Sequence, residues 1–139
     1  MQSFAAHPGF KLLLSLGLNR ADFAVAGSGP LFARGWISDT GDVDVIARGT
    51  AWTQVCKLGP VAAAPLSTVQ RVLLFDGRVE VLSGWFPELW DTNQLIDDAD
   101  IVEGLRFVKL DVIAQTKKRL QRPQDELHLK ILTQHGCNT

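Results

Sequence analysis

Two aspartates separated by one residue are the first candidates for chemistry in this sequence. Asp42 and Asp44 alternate with valines in the segment Asp42-Val43-Asp44-Val45. Because side chains of a β-strand point alternately to its two faces, both carboxylates would project from one face while the valines enter the core. Like charges held this close repel each other and need a neutralising partner. A divalent cation such as Mg²⁺ is the usual partner, since it binds carboxylate oxygens together with substrate phosphates.

A third carboxylate, Glu80, lies between two valines in the same way. It belongs to a predicted hairpin, in which residues 69–75 and 78–82 flank Asp76-Gly77, a dipeptide favoured in type I′ turns. If the second strand of this hairpin lies beside the Asp42 strand, Glu80 joins the aspartates. Three acids on one sheet face could hold two metal ions for in-line phosphoryl or nucleotidyl transfer.

A glycine-serine turn, Gly27-Ser28-Gly29, follows a short apolar strand predicted over residues 22–26. Glycine lets backbone N–H groups approach phosphate oxygens, and Ser28 adds a hydroxyl donor. The segment matches neither the P-loop pattern nor the dinucleotide-binding glycine pattern. It therefore indicates a phosphate contact of another kind, or a turn that only reverses the chain.

The elements that must position these residues are short and alternate along the chain. Helices are predicted over residues 8–18, 30–34, 49–58, 110–120 and 123–134. Strands are predicted over residues 22–26, 42–47, 69–75 and 78–82, with short edge strands over 100–108 and a loop over 59–68. We therefore expect an α/β (α+β) fold, a mixed β-sheet flanked by α-helices, in a single domain spanning residues 1–139.

Composition excludes several classes of protein. The 139 residues are 46% hydrophobic and carry 14 Lys plus Arg against 15 Asp plus Glu, a formal net charge of −1. This balance disfavours a nucleic-acid partner. No apolar run approaches the roughly 20 residues that span a bilayer, so no membrane association is expected. Two cysteines, Cys56 and Cys137, are too few for a disulfide framework, which predicts free thiols and a cytoplasmic location.

Together, these motifs resemble a known superfamily. Ala26-Gly27-Ser28, followed after thirteen residues by Asp42-Val43-Asp44-Val45, resembles the hG[GS]…Dh[DE]h signature of nucleotidyltransferases related to DNA polymerase beta. Glu80 matches the third, separate acid of that family. Lys117 and the segment Arg122-Pro123-Gln124-Asp125 are similar to the K-x4-R-x-K-D helix pair of its small stand-alone members, the abortive-infection toxin type, although Gln124 replaces a lysine.

The resemblance implies a minimal nucleotidyltransferase fold and an assignment of roles. Asp42, Asp44 and Glu80 would be the catalytic residues and the ligands of Mg²⁺, or of Mn²⁺ in its place. Gly27 and Ser28 would hold the triphosphate, and Lys117 would contact the nucleotide or stabilise the site. The implied reaction moves a nucleoside monophosphate from an NTP (ATP or GTP) to an acceptor hydroxyl on a small molecule, a protein or a tRNA.

Other interpretations compete with this one. The chain could be a nucleotidyltransferase-like module that binds nucleotide or a partner protein without turnover, such as a toxin–antitoxin component or a homodimer that completes its pocket. It could also be an unrelated domain with three coincidental strand acids. Lys117 could be a solvated helix lysine, and Arg122 and Asp125 a helix cap. Core or rim packing is the expected role of the four aromatic residues Trp52, Trp85, Phe86 and Trp90.

Overall fold

Short apolar segments between glycine-rich and polar turns form the strands of one seven-stranded sheet. The computed structural model describes residues 3–139; Met1 and Gln2, which belong to the predicted domain, lie outside the described residues. The strands are β1 (Phe23–Ala26), β2 (Val43–Ala47), β3 (Val61–Ala63), β4 (Gln70–Leu74), β5 (Val79–Leu82), β6 (Asp100–Val102) and β7 (Leu105–Phe107).

Helices precede, separate and follow these strands. They are α1 (Pro8–Ser15), α2 (Gly29–Ala33), α3 (Gly49–Cys56), α4 (Thr92–Asp97), α5 (Leu110–Leu120) and α6 (Pro123–Gln134), with two 3₁₀ helices at Phe4–Ala6 and Arg20–Asp22. Local signals explain where two of the helices begin. His7 caps α1 by accepting from the Gly9 N–H, and Pro8 and Pro123 lie in the first turns of α1 and α6, where a missing N–H does not break a helix hydrogen bond.

The strand order across the sheet is β3-β4-β5-β2-β1-β7-β6. β2 is antiparallel to β1 and parallel to β5, and β1 is parallel to β7. Parallel neighbours need a long crossover connection, and α3 with the β3–β4 segment supplies it between β2 and β5. The prediction of a mixed sheet flanked by helices is confirmed.

Two apolar layers cover the two faces of the sheet, and strand alternation sorts the residues between them. Phe23 and Val25 of β1 pack in the first layer with α1 and α3, whereas Ala24 and Ala26 enter the second layer with α4, α5 and α6. Val43 and Val45 of β2 also lie in the first layer. The residue between them therefore faces the second layer.

Several predicted elements differ from the observed ones: the helices predicted over 8–18 and 49–58 end earlier, at Ser15 and Cys56, and three further differences concern strands. The loop expected over residues 59–68 contains β3, an edge strand whose three residues are all exposed, so no alternating pattern marks it. β7, expected at an edge, is internal between β1 and β6. The hairpin forms, but φ is positive at Phe75, Asp76 and Gly77. As a result, β4 ends one residue before the predicted end, at Leu74, and β5 begins one residue after the predicted start, at Val79.

Membrane crossing can be judged from helix length. Across residues 3–139, no helix combines the length and the apolar character that a bilayer span requires. The longest, α6, has 12 residues, whereas a span needs roughly 20.

Truncation of Phe10 tests the first layer. Its fully buried ring lies 5.0 Å from the Phe4 ring and 6.1 Å from the Phe107 ring, centroid to centroid. We expect Phe10→Ala to lower the free energy of unfolding by ~3–5 kcal/mol in urea titrations, because it opens a cavity between α1 and the sheet. Leu127→Ala, on an exposed face of α6, is the control and should change it by less than ~0.5 kcal/mol. Equal effects of the two substitutions would contradict the described packing.

Candidate functional site

Asp44 and Glu80 face each other on neighbouring strands. The parallel register of β2 and β5 pairs Asp44 with Glu80, and it pairs the flanking valines Val43 with Val79 and Val45 with Val81. The valines are buried in the first layer, so both carboxyls emerge on the opposite face, below α5 and α6. The hairpin's second strand thus lies beside the Asp42 strand, as the sequence interpretation required.

Asp42 stands at the entrance to this pair. It is exposed, directly precedes β2, and lies close enough for its charge to act on the Asp44 carboxyl. Within residues 3–139, however, no group of three or more His, Cys, Asp or Glu side chains is arranged so that it could hold a metal ion. The three predicted acids therefore line one cleft without forming a closed ligand set.

The arrangement of acids makes ionisation of the Asp44 carboxyl unfavourable. Burial first, and then the charge and hydrogen bond of Glu80 and the charge of Asp42, raise the pKa of Asp44 to about 7. Arg122 acts in the opposite direction. A carboxyl with such a pKa is only partly ionised at neutral pH and favours any cation that enters beside it.

Arg71 is a partner of this site that the sequence interpretation missed. Its Nη1 donates a hydrogen bond of 2.8 Å to Glu80 Oε2. On β4, Arg71 pairs with Leu82, two residues beyond Glu80, so the two charged side chains are diagonal neighbours on one face. The predicted hairpin register held the signal that could have found this pair.

The Gly27-Ser28 turn lies against the same carboxyls. Gly27 has a φ of +63°, and a Cβ at this position would collide with Asp44 Oδ2. Glycine is therefore required both by the left-handed backbone and by the close approach of the Asp44 carboxyl. The turn joins β1, the neighbour of β2, to α2, so the predicted phosphate turn and the predicted acids adjoin each other.

Lys117 reaches this turn from α5 and is not a solvated lysine. Its side chain is 3% exposed, its Nζ donates to Ser28 Oγ at 3.2 Å, and it lies 3.4 Å from Asp125 Oδ1. Burial lowers the pKa of Lys117, while the negative charge of Asp125 acts to raise it. The predicted role of stabilising the site has a structural counterpart in these bonds.

Asp125, which pairs with Lys117, is fully buried at the start of α6. Its carboxylate accepts from the backbone N–H of Arg122 at 3.1 Å and from Arg122 Nε at 2.7 Å, which confirms the expected helix cap. His128 of α6 is half-buried, with its Nδ1 3.4 Å from Ser28 Oγ. Lys117 of α5 and His128 of α6 thus both contact the Ser28 hydroxyl.

A cleft of about 380 Å³ connects these groups with an apolar end. Its polar lining includes Gly27, Ser28, Asp42, Asp44, Glu80 and Arg122. Its apolar lining includes Pro65, Leu66, Leu82, Trp85, Phe86 and Leu120. Trp85 and Phe86 are buried in its floor and Trp52 and Trp90 are half-buried, consistent with their expected packing roles.

The raised pKa of Asp44 predicts how the stability of the metal-free protein depends on pH. Below about pH 4 the carboxyl is protonated in both the folded and the unfolded state. Between about pH 4 and pH 7 the unfolded chain releases a proton that the folded protein keeps, so the free energy of unfolding falls; above that range the loss is complete.

Asp44→Asn removes this contribution. The wild type should therefore lose ~2–4 kcal/mol of its free energy of unfolding between pH 4 and pH 8 that Asp44→Asn does not lose. Urea titrations at several pH values, with EDTA present, would measure this difference. The exposed acid Asp98 supplies the control, and Asp98→Asn should follow the wild-type profile. Parallel profiles for Asp44→Asn and the wild type would refute the raised pKa.

Removal of the Asp125 charge tests the buried ion pair. Asp125→Asn leaves the Lys117 ammonium buried beside a neutral amide, which should lower the free energy of unfolding by ~3–5 kcal/mol. Glu88→Gln breaks the half-exposed pair with Arg119 and should cost less than ~1 kcal/mol. Thermal and urea unfolding would compare the two variants, and a small loss in both would mean that Lys117 is solvated.

Comparison with known proteins adds no assignment to this geometry. No protein-family model matches the sequence, and neither a curated protein nor a solved structure is significantly similar to it. The resemblance to nucleotidyltransferases is therefore carried by the residues of the site alone.

Proposed function

We propose that this protein is a Mg²⁺-dependent nucleotidyltransferase, which moves a nucleoside monophosphate from an NTP to an acceptor hydroxyl. One observation carries the proposal: Asp44 and Glu80 are paired on adjacent parallel strands and adjoin the Gly27-Ser28 turn in one cleft. Carboxylates beside a glycine-serine turn combine a place for cations with a place for phosphate oxygens.

The donor set suits a hard cation. Asp42, Asp44 and Glu80 offer carboxylate oxygens, and the pKa of Asp44 is raised because burial and two neighbouring acids oppose its ionisation. These three residues would hold Mg²⁺, or Mn²⁺, and Arg71 would share Glu80 with it. When bound, the ion neutralises phosphate charge and orients the reacting groups for in-line displacement.

The opposite wall of the cleft suits the triphosphate. The Gly27 backbone lies against the Asp44 carboxyl, and Lys117 holds the Ser28 side chain in place through the 3.2 Å bond to its Oγ. Of the two roles considered for Lys117, stabilising the site is the better supported, because its ammonium is buried and already paired with Asp125. Arg122, whose side chain is 42% exposed, lines the cleft and supplies a positive charge.

The chemical step needs a proton acceptor as well as a phosphate site. The acceptor oxygen forms a bond to the α-phosphorus, the bond from that phosphorus to the bridging oxygen breaks, and pyrophosphate leaves. The hydroxyl proton passes to the carboxylate of Glu80 or Asp44. Both carboxylates line the cleft that would hold the triphosphate, and a general base must lie within hydrogen-bond reach of the acceptor hydroxyl.

A second candidate function is a nucleotide- or partner-binding module without turnover. The 2.8 Å bond from Arg71 to Glu80 and the lack of a closed ligand set among residues 3–139 favour it. A toxin–antitoxin component or a homodimer would belong to this class. For either function we propose a cytoplasmic location, since Cys56 and Cys137 are both free thiols.

Calorimetry with non-hydrolysable analogues of ATP and GTP tests the proposal. We expect the wild type to bind an analogue only with Mg²⁺ present, and Asp42→Asn to bind it at least tenfold more weakly, because it removes one carboxylate from the metal set. Asp42 is exposed, so the variant should fold normally. The exposed Asp98 lies outside the cleft, and Asp98→Asn is the control that should match the wild type.

Transfer of label from α-³²P-NTP to candidate acceptors separates the two functions. Turnover by the wild type that disappears in Asp44→Asn supports the enzyme, whereas turnover retained in Asp44→Asn rules out the metal assignment. Mg²⁺-dependent binding without any turnover favours the binding module. The absence of any nucleotide binding would eliminate both nucleotide-dependent functions.

A further inference from the structure

The cleft has two chemically different ends, and two elements run from one to the other. On β5, Glu80 and Leu82 point to the same face two residues apart, a separation of ~7 Å. On α5, Lys117 donates to Ser28, while Thr116 accepts from Trp85, which follows β5, and Leu120 lines the cleft. A ligand whose phosphates lie at Ser28 and Asp44 therefore has its opposite end directed to the apolar half.

The apolar half is a slot with a buried floor and accessible walls. Trp85 and Phe86 form the floor and are 8% and 4% exposed. Leu66, in the segment between β3 and β4, lines one side and is 54% exposed. Leu120 of α5 lines the slot as well and is half-buried. An exposed leucine at the side of a cavity offers apolar surface that a ligand can cover.

The floor is held in a costly backbone conformation. Phe86 has a φ of +44°, which non-glycine residues rarely adopt, and its N–H donates to Ser67 Oγ at 2.9 Å. The Arg119 guanidinium lies 5.6 Å from the centre of the Phe86 ring. Strain of this kind persists where the surrounding structure enforces it, and such residues cluster at binding sites.

Two polar side chains of the slot, Trp85 and Thr116, are paired with each other. Trp85 Nε1 donates to Thr116 Oγ1 at 3.0 Å, and Thr116 Oγ1 donates to the carbonyl oxygen of Val112 at 2.9 Å. Arg119, whose guanidinium faces the Phe86 ring, is paired with Glu88 at 3.1 Å. The slot therefore favours a flat, weakly hydrated group over a charged one.

We propose that this slot, between Leu66 and Leu120 above Trp85 and Phe86, is the subsite for the nucleobase of the NTP. The inference rests on the proposed function and deepens it. Because the contact is apolar and the Trp85 and Thr116 side chains are already engaged with each other, the site distinguishes bases by area and not by hydrogen-bond pattern. ATP and GTP should bind with similar affinity, and both more tightly than CTP and UTP.

Leu66→Ser tests the slot without disturbing the core, since Leu66 is exposed. Leu89→Ser is the matched control, because Leu89 is 49% exposed and does not line the cleft. Calorimetry with Mg²⁺ would compare non-hydrolysable ATP, GTP, CTP and UTP analogues with inorganic tripolyphosphate, which has the phosphates but no base.

The proposal expects Leu66→Ser to bind the ATP and GTP analogues about five- to tenfold more weakly and tripolyphosphate as the wild type does. The control should bind every probe normally. Two results would overturn the base subsite and leave the phosphate site standing. In the first, the wild type binds the purine analogues no more tightly than tripolyphosphate. In the second, Leu66→Ser weakens the binding of all probes equally. No binding of any probe by the wild type would overturn the proposed function and the subsite together.

Discussion

The pairing of two half-buried acids on adjacent strands is the constraint around which the site is organised. Val43, Val45, Val79 and Val81 must enter the first layer, so strand alternation leaves Asp44 and Glu80 no face but the opposite one. The parallel register then brings the carboxyls together, and burial and mutual repulsion raise the pKa of Asp44 to about 7. Such a pair is costly without a counter-charge, and the surrounding residues reflect that cost: Arg71 bonds to Glu80, and the charge of Arg122 acts on Asp44.

A second buried ion pair couples the helices to this face of the sheet. Lys117 and Asp125 are almost completely removed from water, and their burial is tolerable because each charge is paired with the other and hydrogen-bonded to a further residue, Ser28 for Lys117 and Arg122 for Asp125. Their bonds connect α5, the start of α6 and the Ser28 turn, so the packing of the helix pair and the position of the turn depend on each other. Since the turn also adjoins Asp44, the conformation of the candidate phosphate site is tied to the stability of the helical layer.

The two proposals use one directional property of the cleft. Charged groups are concentrated where β1, β2 and β5 lie side by side, and apolar groups where β5 ends and the segment between β3 and β4 returns. A nucleoside triphosphate has the same polarity, with an anionic end and a flat, weakly hydrated end. The reacting phosphorus would then lie between the two ends, beside the carboxyls, which is where a proton acceptor is needed.

The sequence by itself determined the local elements and the residue types of the site. Alternation places Asp44 and Glu80 opposite buried valines, Asp76-Gly77 predicts the hairpin, and Pro123 with Asp125 marks the start of α6, because these signals depend on near neighbours along the chain. The tertiary structure alone decided that β5 pairs with β2 and that Lys117 is buried, since pairing between distant strands and removal from water depend on what the rest of the chain covers. β3 was missed for the same reason: its residues are exposed, and only its pairing with β4 makes it a strand.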